Sequence, residues 1–273
     1  MARGADDGFH SALVPGVKSS QDAERLADEL AFAAGRLARL ESDPPGSYGE
    51  VASGLVELPG GGNIEERTWL AFLIAYLCPV NGEDPFAGIR AAWTPWSARG
   101  HAGREEPPLA DVPLGPRTAH DPARGTRTLE AYRAWAARAG SQAAAFEGEP
   151  SWPPERRFAR AFERLALPGL HRDARFDLLV TLGRLGVYDL RAGSLQFGGT
   201  NEATIAAKRA LGIGDTLLLE RRASDLAEAA ALPLEALDLG LHNWGAGKRC
   251  TMGLETAEPD PAALESTRAA LGL

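Results

Sequence analysis

Apolar residues in this chain recur at three- and four-residue steps, and sustained alternation at steps of two is absent. That periodicity predicts helices and no sheet. The first run predicts a helix over Ser20 to Glu41, with Leu26, Leu30, Ala33, Leu37 and Leu40 on one stripe. Ser19, three residues before Asp22, is its N-cap, and Asp43-Pro44-Pro45-Gly46 is its end. The second helix, Ile64 to Leu77, is apolar around its whole circumference, which marks a central, buried element. Asn63 followed by Glu66 reads as a capping box, and Pro79 stops the helix. Asp84-Pro85 starts a short helix through Trp93.

Farther along, helices are predicted from Thr128 to Phe146, and after Ser151 with Phe158, Phe162 and Leu165 facing inward. A buried helix carries Phe176, Leu178, Leu179, Leu182 and Leu185. Gly193 to Gly199 is a loop, and Thr200 caps a helix through Leu211. Gly212-Ile213-Gly214 is a tight turn, with Asp215 capping the helix beyond it. Pro233 opens another helix to Trp244, and Asp260-Pro261 the terminal one to Leu271. The reading is a mainly α, single-domain chain: an N-terminal helical part over 1–93, a Pro/Gly-rich surface excursion over 94–127, a helical core over 128–250, and a tail helix over 251–273.

Composition narrows the function classes. The chain has 273 residues, 44% of them hydrophobic, enough for a full core. The longest apolar run, Trp69 to Leu77, is far short of the roughly 20 residues a membrane span needs. Cys78 and Cys250 are the only cysteines, so neither a disulfide framework nor a multi-cysteine zinc site is available. Two thiols and a start without an apolar leader segment suggest a reducing cytoplasm. The Walker, dinucleotide-binding, HExxH and GxSxG patterns are absent, and the five histidines have no metal-ligand spacing. The expectation is therefore no cofactor, no metal and no membrane.

The informative segment is Lys208-Arg209-Ala210-Leu211-Gly212-Ile213-Gly214-Asp215. Two glycines let the backbone turn tightly and approach a partner closely. The helix after the turn presents N–H groups that suit a phosphate oxygen. A plain αα-corner with a glycine C-cap has the same pattern. A helix-hairpin-helix of this kind grips a nucleic-acid backbone without reading bases.

The run from Phe176 to Trp244 resembles the helical core of the helix-hairpin-helix DNA glycosylase superfamily. More narrowly, it is similar to the α-glutamyl/putrescinyl thymine pyrophosphorylases. RFDLLVTLGRLGVYDL, AAKRALGIGDTLLLERR and LPLEALDLGLHNWG carry the resemblance, with RTWLAFLIAYLCPVNGEDPF as the preceding central helix. The resemblance implies a carboxylate after the hairpin that stabilises an oxocarbenium-like sugar. Asp238, 24 residues beyond Gly214, is the candidate. Asp238 lies among leucines, either on a wet helix face or partly buried with a raised pKa. Lys208 is the second catalytic candidate. It precedes the glycines, whereas the superfamily's lyase lysine follows them, so it also reads as a phosphate contact. For the pyrophosphorylases an amine would displace pyrophosphate from an activated pyrimidine, and Lys208, Arg209, Arg221 and Arg222 would supply the cations.

Charge splits by segment. The net charge is −8, yet residues 151–250 hold 14 basic and 12 acidic residues, while residues 1–150 hold 14 and 21. Arg156, Arg157, Arg160 and Arg164 form a basic helix face, with Arg157 and Arg160 as further phosphate contacts. Asn243 and Trp244 would read and stack a flipped base; a helix end with a buried Trp fits the same residues. Three functions follow: an enzyme processing a base in DNA or a nucleotide, a non-catalytic DNA-binding module, or a helical protein-interaction domain.

Overall fold

In a computed structural model, which describes residues 4–42, 63–96, 109–254 and 258–273, the described residues form eleven α-helices, one short 3-10 helix and no strand. No described helix is long and apolar enough to cross a membrane. The helices are α1 (Ser20–Ser42), α2 (Ile64–Leu77), α3 (Ala87–Ala92), α4 (Arg127–Ala139), α5 (Gln142–Glu147), α6 (Pro154–Arg164), α7 (Arg172–Arg184), α8 (Glu202–Leu211), α9 (Thr216–Ala229), α10 (Ala236–Ala246) and α11 (Pro261–Leu271). The chain groups into two compact units, each drawn from separated segments.

The first unit takes α1 up to Arg39, then Ser194–Cys250 and α11. Ser19 stands at the N-cap of α1 as its spacing predicts: its Oγ accepts from Asp22 N at 3.5 Å and its carbonyl from Ala23 N at 3.0 Å. The stripe of α1 is buried, with Leu26 and Leu30 at 0% exposure. It meets α10 at Gly240, where a Cβ would lie 3.0 Å from Leu30 Cα and 3.1 Å from the Glu29 carbonyl. Only glycine permits that approach. Helix α10 packs chiefly on α8, and α8 on α9. Asn201, one residue after the expected Thr200, caps α8 by accepting from Thr204 N at 2.9 Å. Its side-chain oxygen satisfies the N3 N–H, and asparagine is among the residues most favoured at an N-cap. Asp260 caps α11 through Ala263 N at 2.8 Å, as expected.

The second unit holds α2 to α7, built around α2, whose Trp69, Phe72 and Tyr76 are fully buried. Tyr132 stacks on Phe72 with ring centroids 3.8 Å apart, and Trp135 meets Phe146 edge-on at 5.1 Å. Burial pushes the Tyr132 hydroxyl well above its usual range, and it donates to Gln142 Oε1 at 2.6 Å. Asn63 caps α2 through Glu65 N, and the Glu66 half of the expected capping box is used elsewhere: its carboxylate accepts from Trp96 N at 2.7 Å. The helix expected from Thr128 to Phe146 is two helices. Gly140, at φ 92°, ends α4, and Ser141 caps α5 through Ala144 N. Glu65 then accepts from the first N–H groups of α5, Gln142 N at 3.1 Å and Ala143 N at 2.9 Å, where a carboxylate complements the helix dipole. Helix α6 starts at Pro154 rather than at Ser151, because a proline at the first helical position needs no N–H partner.

Residues 97–108 of the expected surface excursion, like the Asp43–Gly46 stop, lie outside the described residues. The part from Leu109 is tucked against the end of α2. Gly115 N donates to Cys78 O at 2.9 Å, Ala119 N to Tyr76 O at 2.9 Å, and Arg117 forms a buried ion pair with Asp177 at 3.0 Å.

Candidate nucleic-acid interface

The turn between α8 and α9 forms because Gly212 takes the left-handed conformation (φ 67°) and closes α8. The carboxyl end of α8 is held from outside as well. Gly16 N donates to Ala210 O at 3.0 Å, and a Cβ on Gly16 would collide with the Arg209 carbonyl. Asp215 starts α9, its side chain accepting from Leu218 N at 2.9 Å. The base of α9 is fixed by Glu220, whose carboxylate accepts from Leu195 N and Phe197 N, each at 2.7 Å. Leu219 and Ala223 supply the buried face.

The tip itself is bare. Among the described residues, the N–H groups of Ile213, Gly214, Thr216 and Leu217 meet no acceptor. Gly214 has open space where a Cβ would stand. Leu217 is 82% exposed and Leu218 54%, unusual for leucine in a first helical turn. One turn later Arg221 and Arg222 are exposed, at i+4 from Leu217 and Leu218. On α8, Lys208 and Ile205 are exposed. The sequence signal for the leucines was present but hidden: TLLLERR reads as one apolar run, and only the position of the buried Leu219 separates inner from outer residues.

The remaining candidates lie elsewhere. Asp238, in the first turn of α10, is 1% exposed, so of the two placements the sequence allowed it takes the buried one. Lys208, on α8 beside the tip, is instead at the surface, so the two catalytic candidates differ in exposure. Trp244 is 2% exposed, its Nε1 donates to Asp22 O at 2.9 Å, and the Arg209 guanidinium lies over its ring at 3.8 Å. The face that a base would use is covered by Arg209. Asn243 is spent on the loop after α10: it accepts from Cys250 N at 3.0 Å and donates to Glu29 Oε2 at 3.2 Å. Glu29 also pairs with Arg249 at 2.7 Å.

Arg157 and Arg160 sit on α6, in the second unit. Arg157 pairs with Asp189 at 2.8 Å and donates to Pro150 O at 2.9 Å; Arg160 pairs with the exposed Glu163. Among the described residues, no group of three or more His, Cys, Asp or Glu side chains could hold a metal ion. Comparison with protein families, with curated proteins and with solved structures returned no match.

Proposed function

We propose that the α8–α9 hairpin grips the sugar–phosphate backbone of nucleic acid. The observation that carries this reading is the bare tip: four N–H groups without acceptors beside an 82% exposed Leu217. N–H groups at a helix start bind phosphate oxygens. Arg221, Arg222 and Lys208 neutralise flanking phosphates, and Leu217 and Leu218 lie against the sugars. Contacts of this kind position a duplex without reading its sequence.

The likeness to the glycosylase superfamily extends the reading to base processing, with Asp238 as the carboxylate. Its 1% exposure sets a condition on that extension: the packing over Asp238 must open before a substrate can reach the carboxylate. Trp244 would stack a base only after Arg209 moved off its ring.

Fluorescence anisotropy of a labelled duplex across a salt series tests the grip. Log affinity should fall against log salt with a slope of about −0.9 per phosphate neutralised. Arg221→Gln/Arg222→Gln should flatten that slope by about 2, and Leu217→Ala should weaken binding at every salt concentration. Unchanged binding in both variants would overturn the proposal. Mass spectrometry of nucleosides after incubation with modified and unmodified phage DNA tests the extension. A product that Asp238→Asn abolishes supports it, and a product that persists in that variant removes Asp238.

A further inference from the structure

A cavity of about 200 Å³ opens on the second unit, within the segment from Ala144 to Arg164. Three guanidinium side chains line it: Arg157, Arg160 and Arg164, at i, i+3 and i+7 along α6. That spacing puts them on one face of one helix. Opposite them lie Trp152, Phe146 and the single carboxylate Glu149. The three arginines differ in their engagement. Two nitrogens of Arg157 are committed, to Asp189 at 2.8 Å and Pro150 O at 2.9 Å, while its Nε is buried without a partner. Those two bonds hold its planar fork still. Arg160 has the exposed partner Glu163, a solvent-screened surface pair too weak to hold it from a better anion. Arg164 is exposed and meets no acceptor among the described residues.

Trp152 is held in place by two neighbours. The Arg156 guanidinium sits over its ring at 4.6 Å, and Gly148, at φ 65°, lies where a Cβ would stand 3.2 Å from Trp152 Cε3. A positive φ and that close approach both select glycine.

We infer that this cavity is a binding site for a small phosphate monoester carrying a flat group, with Arg157, Arg160 and Arg164 on the phosphate and Trp152 against the flat group. The lining holds three guanidinium groups and one carboxylate, and the exposed Asp189 and Glu163 that pair with Arg157 and Arg160 from outside it are screened by water, so a monoester dianion at neutral pH meets an excess of cations in the cavity. The forks of Arg160 and Arg164 can pair with the oxygens of a phosphate in parallel hydrogen bonds, while Arg157, its two terminal nitrogens already engaged, contributes a fixed positive charge beside them. The volume is below the roughly 300–1,000 Å³ of drug-sized sites, which restricts the ligand to one ring and one phosphate. The site is independent of the hairpin reading, since it uses no residue of α8 or α9.

Isothermal titration calorimetry of the full chain with phenyl phosphate, inorganic phosphate and phenol tests the assignment. Phenyl phosphate should bind with a stoichiometry of one, at least tenfold tighter than either fragment. Arg160→Gln/Arg164→Gln, two exposed positions, should weaken it at least tenfold, and Arg221→Gln/Arg222→Gln should leave it unchanged. A second measurement uses the unaltered protein: phenyl phosphate should shield arginines of α6, and not Arg221 or Arg222, from phenylglyoxal, read by peptide mass spectrometry. Absence of binding at millimolar ligand, equal loss in the two double variants, or equal shielding of the two helices would each overturn the inference.

Discussion

Helices α6 and α9 look alike as sequence. Each carries arginines at close spacing, and each buries aromatic or aliphatic residues on the opposite face. Their arginines nevertheless meet different surroundings. Those of α6 face residues 144–152, which fold back along the helix and supply Trp152, Glu149 and the Pro150 carbonyl. Those of α9 follow a two-glycine turn that leaves nothing above the first helical turn, so Arg221 and Arg222 end in water. The difference lies in the flanking loop: a loop whose residues share a cavity with the helix builds a concave, open-mouthed site. A loop that only turns leaves a convex tip suited to an extended partner.

The largest expected break in this comparison comes from the buried faces. Phe158 is 1% exposed and meets Phe176 edge-on at 5.4 Å. Phe158→Ala should cost about 3–5 kcal/mol in urea unfolding, whereas Leu217→Ala on the bare face of α9 should stay within about 0.5 kcal/mol. Equal costs would mean that the tip of α9 is anchored after all. Next comes Gly16→Ala, which forces a Cβ against the Arg209 carbonyl. It should destabilise the first unit by about 1–3 kcal/mol and weaken duplex binding while leaving phenyl phosphate binding intact.

Smaller effects sharpen the contrast. Asp215→Ala removes the cap of α9 and should cost about 1 kcal/mol. It also removes a negative charge from the tip, so duplex affinity, measured without denaturant at a low temperature where the variant stays folded, should rise. Lower affinity under those conditions would show that cap geometry outweighs charge. Smallest is the paired arginine exchange. Arg157→Gln loses an ion pair to a largely exposed Asp189 and one hydrogen bond, about 1 kcal/mol after screening. Arg222→Gln loses no contact and should leave the melting curve in place.

Much of this was readable from the chain. Helix periodicity located α1, α2 and α7, and capping chemistry located Asp215 and Asp260 because a cap acts within three residues. The division of residues 128–146 was missed for the opposite reason: an apolar stripe continues across Gly140, and only Ser141 marks the restart. The hairpin's local geometry was legible in Gly212 and Asp215. The settings of Trp244 and Asn243 were not. Arg209 reaches Trp244 from 35 positions away, and Glu29 reaches Asn243 from α1, so no window on the sequence contains both partners. The cavity on α6 is not legible in the sequence, because only the arginine row has a helical period, while Trp152 and Gly148, which turn a charged face into a pocket, belong to the preceding loop.

The covering of Trp244 by Arg209 makes the first unit optically addressable. Of the six tryptophans, Trp244 alone belongs to that unit; the other five fall within the second. The Arg209 guanidinium lies 3.8 Å over the indole, and Arg209 is three residues from Gly212. Replacing the other five with phenylalanine would leave a single intrinsic fluorophore beside the hairpin. Its emission maximum would report, without any label, whether a ligand at the tip displaces that arginine.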